Sequence, residues 1–221
     1  AEDLETVLNR GSFLLKGVSY SNRDPPESLS EDGESISVAG LKWFPKDDLI
    51  SLNIKDMNFA KRKRGRKPTS SINMIPLKIT RKDCVSKVSE IFDIIGKITP
   101  ITAAMKLDLH ELVIENLDWD DTIPDKFRPI WENHFQMMGE IKKLKFKRAV
   151  IPENAIDTNV ETLDFGDASK DIACIAIYAR FKLTDGKYSS QLIFSRSRLI
   201  PNDMTQPRAE LYAALINTHT G

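Results

Sequence analysis

The spacing of apolar residues changes period near residue 80 and again near residue 160. Before 80 the signals are short. Residues 3–10 predict a short helix, with Gly11 as its C-terminal cap. Residues 12–19, SFLLKGVS, predict a strand, and the polar, Pro-containing stretch 21–35 a loop. Residues 36–54 predict two short strands around the turn PKDD, carrying Ile36, Val38 and Leu41, then Leu49, Ile50, Leu52 and Ile54. From 80 the spacing becomes helical. Val85, Val88, Ile91, Phe92 and Ile95 share a face, and Gly96 ends that helix. Thr99 as N-cap with Pro100 at the first helical position opens a second helix through Met105, Leu109, Leu112 and Val113. After the acidic loop 117–125, a third helix runs to about Leu144 through Phe127, Trp131, Phe135, Met138 and Ile141. Residues 151–157 read as a linker. From 160 three strands are expected, at 160–166, 172–181 and 188–196, with an Asp185-Gly186 turn between the last two. A helix follows, from about Met204 to the last residue.

Composition narrows the class without naming a function. Lys plus Arg and Asp plus Glu each number 32, so the net charge is zero and a basic signal must be local. Two cysteines, Cys84 and Cys174, lie in separate segments, which fits a reducing compartment and excludes a disulfide framework. No apolar run approaches the ~20 residues of a membrane-spanning helix, and the acidic first segment is not a signal peptide. The expected location is intracellular, in a cytoplasmic particle or the nucleus, with no membrane partner. The first residue is Ala, and LETVLNRGSF reads as a helix already under way, so a piece of a longer polypeptide is expected.

The candidate chemistry is local. The stretch TLDFGDASKDIACIAIYARF opens an apolar strand on Asp164 and Asp167, although carboxylates are depleted in strands and costly to bury unpaired. Glu210 falls in PRAEL, read as the first turn of the last helix. Both acids have ordinary explanations, a turn residue and a helix N-terminal charge. Their other reading is a pair of oxygen ligands for a hard divalent cation. KRKRGRK at 61–67 is a basic loop, suited either to nucleic-acid phosphates or to nuclear import, or simply solvated. KKLKFKR at 142–148 reads as a solvated helix end. Ser195 and Ser197 read as outward-facing strand residues, and Trp43, Trp119 and Trp131 as packing residues. His110, His134 and His219 share no ligand spacing with the cysteines, which argues against zinc.

Taken in order, FGDASKDIACIAIYARF, FSRSRLIP and QPRAELYAAL resemble the opening half of a ribonuclease H domain, and more closely the version in retrotransposon polyproteins of the Bel/Pao group. ITRKDCVSKVSEIFDIIGKITPITAAMKLDLHEL followed by LDWDDTIP resembles the segment joining reverse transcriptase to ribonuclease H there. LETVLNRGSFLLKGVSYSN with GLKWFPKDDLISL is similar to the end of the polymerase palm and the start of the thumb.

The resemblance implies an α+β thumb and connection region, a small β hairpin plus helices. An incomplete α/β ribonuclease H-like fold of three antiparallel strands and the first helix would follow. Its implied divisions are 1–80, the palm end and thumb hairpin with the basic loop; 81–150, the helical connection; and 158–221, the first half of the ribonuclease H-like domain. It implies a site of four carboxylates holding two Mg²⁺ ions, of which Asp167 matches the first and Glu210 the second. The other two belong after Gly221, and no aromatic-x-Asp-Asp polymerase motif stands before residue 20, so both active sites are expected to be incomplete and the piece inactive alone. Implied partners are an RNA–DNA hybrid or template–primer duplex and the rest of the polyprotein. Lys61, Arg62, Lys63, Arg64, Arg66 and Lys67 would meet the nucleic acid in the thumb context, with Ser169, Gln206 and Arg208 nearer the ribonuclease H site. Pro207 departs from the Asn of cellular enzymes, which puts a 2′-OH contact there in doubt. The competing expectation is a non-catalytic nucleic-acid-binding or interaction module derived from such an element.

Overall fold

The computed structural model describes residues 2–15, 17–55, 57–59, 74–156 and 160–218. The chain divides into two compact units, one formed by 1–53 with 142–149 and the other by 54–141 with 150–221.

The first unit opens with helix α1 (Glu2–Arg10) and is built on strands β1 (Ile36–Val38), β2 (Leu41–Phe44), β3 (Leu49–Leu52) and β4 (Phe146–Lys147), antiparallel and paired in that order. The stretch expected to be one strand before PKDD is two. Ala39 and Gly40 both take positive φ, 48° and 79°, and bring Val38 opposite Leu41 in a two-residue hairpin. The α1 cap also differs from expectation, since the left-handed residue is Ser12 (φ 62°), one place after Gly11. No strand forms in the described residues of 12–19, where Phe13 and Leu14 stand 68% and 88% exposed. An isolated apolar run without a partner has nothing to hold it extended.

KKLKFKR is not a helix end. The third helix stops at Ile141, and Phe146 and Lys147 pair with Ile50 and Leu49 as an edge strand. Asp48, held at φ 51° in the PKDD turn, fastens that strand. Its carboxylate accepts from Arg148 Nε at 2.6 Å and Nη2 at 3.0 Å, and from Trp43 Nε1 at 3.0 Å.

The second unit starts its helices at α2 (Arg81–Ser89), entered through a reciprocal Thr80–Asp83 capping box. The helix expected to reach Ile95 ends six residues earlier. The Asp93 carboxylate accepts from the backbone N–H groups of Gly96, Lys97 and Ile98, at 2.9, 3.0 and 2.8 Å, and folds the chain into a turn. Helix α3 (Thr99–Ile114) follows, with Ile98 at the N-cap position and Thr99 already helical. Helix α4 (Arg128–Ile141) buries Trp131, Phe135, Met138 and Ile141, the face its spacing predicts. Its His134 bonds Asp108 of α3 at 2.5 Å.

Strands β5 (Glu161–Ala168), β6 (Ile172–Lys182) and β7 (Tyr188–Leu199) form an antiparallel sheet in the order β5-β6-β7, as expected. Two strands run further than expected, β5 to Ala168 and β7 to Leu199. In β6 every second residue from Ala173 to Phe181 is buried. Helix α5 (Gln206–Thr218) packs on the Ala173–Ile175 face, closing a core of Ala168, Ala173, Ile175, Ile200, Ala209, Ala213 and Ile216. The other face meets the α3 region along β7. There Ser195 Oγ bonds Gly96 O and Thr99 Oγ1, at 2.6 and 2.7 Å, and Ser195 N–H donates to Ile95 O at 2.9 Å. The serines expected to face outward are therefore buried, Ser195 at 8% and Ser197 at 4% exposure, because α3 covers them. Among the described residues no helix is long and apolar enough to cross a membrane.

Candidate functional site at the end of strand β5

Cross-strand pairing places Asp167 opposite Cys174, and Cys174 opposite Ser197. These three residues form one row on the face away from α5. Their neighbours Ala168 and Ala173 form the adjacent row, buried under α5. The row is coupled electrostatically. The half-buried Cys174 thiol is pushed up by burial first, while Lys106 of α3 pulls it down and Asp167 adds to the rise.

Asp167 is exposed, and its Oδ1 turns forward to accept the Ala168 N–H at 2.8 Å. Asp167 stands one residue before the C-terminal end of β5, on the face away from α5. The start of α5 reaches the same end of the strand, where Gln206 Nε2 donates to the Ala168 carbonyl at 2.7 Å. Glu210 stands one turn further along that stripe of α5, four residues from Gln206. It therefore lies in the second turn, not the first as expected, and no acidic residue occupies the first turn. Glu210 is exposed, and among the described residues its carboxylate has no hydrogen bond or ion pair.

Ser169 shapes the turn into β6. Its Oγ accepts from the N–H groups of Asp171 and Ile172, each at 3.3 Å, in an exposed turn. Arg208 is exposed on the first turn of α5. Lys61, Arg62, Lys63, Arg64, Arg66 and Lys67 lie outside the described residues, as does His219. Asp164 pairs with Ile177 and so points to the opposite face from Asp167. Among the described residues no group of three or more His, Cys, Asp or Glu is placed to hold a metal.

The sequence reading missed Lys106. Its ammonium donates to Ser197 O at 2.9 Å and Ser197 Oγ at 3.0 Å, bringing a cation from α3 onto the row that holds Asp167. The helical spacing of α3 gave the position a face, but only the docking on β7 shows what it meets.

A three-stranded antiparallel sheet with an acidic strand end, followed by a helix whose first residue bonds that end, is the arrangement that the resemblance to a ribonuclease H-like domain implies. Residues 80–221 match the Pao retrotransposon-like RNaseH-like domain, and the chain belongs to that family. The match begins at the α2 capping box, so it takes in α2, α3 and α4 as well as the sheet. No curated protein matches the chain.

Proposed function

We propose that the chain is part of a retrotransposon reverse transcriptase and ribonuclease H polyprotein, and that its carboxyl-terminal half serves hydrolysis of the RNA strand in an RNA–DNA hybrid. Asp167 and Glu210 are the residues that would hold Mg²⁺. The observation that carries this reading is the Gln206–Ala168 bond, which seats the start of α5 on the strand end bearing Asp167.

The donor set fits a hard cation. Both groups are carboxylates on regular secondary structure, both are exposed, and Asp167 commits only Oδ1 to the protein. Bound there, Mg²⁺ would make water a better nucleophile and neutralise the charge developing on the leaving 3′ oxygen. The residues of this chain supply position. The Ala168 N–H holds the Asp167 carboxylate, and Gln206 fixes the register of α5 and with it the height of Glu210.

Titration with Mn²⁺ by calorimetry tests the assignment. Asp167→Asn and Glu210→Gln should each weaken Mn²⁺ binding at least about tenfold, while Asp164→Asn, on the other face of the same strand, should leave it unchanged. Equal Mn²⁺ affinity in wild type, Asp167→Asn and Glu210→Gln would rule out both ligands.

A further inference from the structure

Strand β7 carries Arg196 and Arg198 on the face that α5 covers. Arg196 stands opposite Ile175 and Arg198 opposite Ala173, and both partners belong to the core under α5. Phe194, on the same face, packs against that core. The arginines are exposed instead, because β7 ends the sheet while α5 lies on β5 and β6. Arg198 Nη1 donates to the Tyr212 hydroxyl at 3.4 Å, which ties it to α5. Arg208 precedes Tyr212 by one helical turn, on the same stripe of α5, and is also exposed. A strand and a helix thus bring three guanidinium groups to one rim of the sheet.

No carboxylate answers them. Arg128, Arg148 and Arg180 each pair with an acid. Among the described residues Arg196, Arg198 and Arg208 form no ion pair. The other residues of that face of β7, Ser189, Gln191 and Phe194, carry no charge, nor do Tyr212 and Leu215 on the stripe of α5. Like charges gathered without acids repel one another, and a polyanion relieves that repulsion. Arginine suits phosphate in particular, since its planar fork donates two N–H groups to two oxygens at once. Arg196 and Arg198 lie two strand positions apart, each of about 3.4 Å. Each strand of a duplex carries a phosphate every ~3.4 Å of its axis, so the two rows have commensurate spacing. Asp167 lies on the opposite face of the sheet, so this rim is separate from that carboxylate.

We propose that Arg196, Arg198 and Arg208 form a phosphate-binding rim that holds the backbone of a nucleic-acid strand. The rim rests on the reading of the chain as a nucleic-acid-directed ribonuclease H-like protein, and gives that nucleic acid a second contact surface. The sequence resemblance reached Arg208 alone. Arg196 and Arg198 join it through the strand register and the Tyr212 bond.

Fluorescence anisotropy with a labelled RNA–DNA hybrid, from about 50 to 200 mM salt, tests the rim. Arg196→Gln and Arg198→Gln should each lower affinity about 3- to 10-fold. Each should reduce the slope of log affinity against log salt by about one, and the double variant by about two. Arg196→Lys and Arg198→Lys should keep the wild-type slope, because the charge remains. Mn²⁺ affinity by calorimetry should be the same in all these variants as in wild type. Where Arg198→Gln lowers the melting temperature, Arg196→Gln decides, since among the described residues Arg196 makes no hydrogen bond that its loss would break. Unchanged slopes in variants that melt like wild type would overturn the rim and leave the metal reading standing. Polyglutamate that displaces the hybrid from wild type, and binds the double variant less tightly, would make the rim a surface for acidic protein segments and overturn the nucleic-acid assignment. Reduced slopes together with Mn²⁺ binding that is indifferent to Asp167→Asn would support the rim and remove the metal reading.

Discussion

At Asp48 one carboxylate ties a loop, a strand and the distant return of the chain. It accepts from Ser21 Oγ at 3.3 Å, from Trp43 and from Arg148, one hundred residues away. The Arg148 hydrogen bond is the main reason its pKa lies below the ordinary carboxylate value, with Trp43 and Ser21 adding to it against burial. Its folded-state pKa is depressed, so the stability it contributes is complete above about pH 4, the unfolded Asp value, and disappears as pH falls through the folded pKa. Asp48→Asn keeps a residue type that tolerates positive φ and removes the charge. It should cost roughly 1–3 kcal/mol at neutral pH, read by urea unfolding, and the two proteins should converge in acid. Asp32 belongs to the same pH window. Its carboxyl is held well below the usual range, chiefly by the Ser35 hydroxyl and then by the Glu34 and Ser35 N–H groups. At this scale the placing of Asp167 near a strand end and of Glu210 on the last helix was legible in the sequence, from the apolar spacing around them. Lys106, Ser195 and Ser197 were not, because alternation assigns a side chain to a face without saying whether another element covers it.

Among the elements, the turn between α2 and α3 departs most from its apolar spacing. Val85, Val88, Ile91, Phe92 and Ile95 do fit a helix, but Phe92 is 54% exposed and Asp93 captures three successive N–H groups that a helix would have used. A side chain competing for backbone donors is a local effect that periodicity does not register. The turn has a consequence for docking. Gly96 takes φ 81°, and a Cβ there would lie well inside van der Waals contact with the Ser195 carbonyl. Both constraints act on Gly96→Ala, so it should destabilise the second unit by on the order of 3 kcal/mol, and hydrogen exchange should show β7 and α3 losing protection together. Retention of protection in β7 would mean the segment is not clasped through Gly96. KKLKFKR shows the reverse error. Its charges suit a helix end, yet β3 offers an unpaired edge and Phe146 takes it, a long-range pairing that local sequence does not encode.

The whole molecule shows where sequence reading reached and where it stopped. Three antiparallel strands, the Asp-Gly turn at Gly186 (φ 81°) and a closing helix were all legible, because each carries a short-range signal. The grouping into units was not. Residues 142–149 join the first fifty-three residues, and α2, α3 and α4 join the sheet, through contacts that span about ninety residues or more. The family match from residue 80 spans these helices and the sheet together.

The proposed presentation of a divalent cation to a nucleic-acid hybrid by Asp167 and Glu210 is tested most directly by cation-dependent binding. Affinity for an RNA–DNA hybrid would be measured with Mg²⁺ and with EDTA at matched ionic strength, in wild type and Asp167→Asn. Mg²⁺ should tighten wild-type binding about tenfold, roughly 1.4 kcal/mol, and Asp167→Asn should lose that gain. If Mg²⁺ leaves wild-type affinity unchanged, or changes both proteins equally, the carboxylate pair is not a metal site for the hybrid.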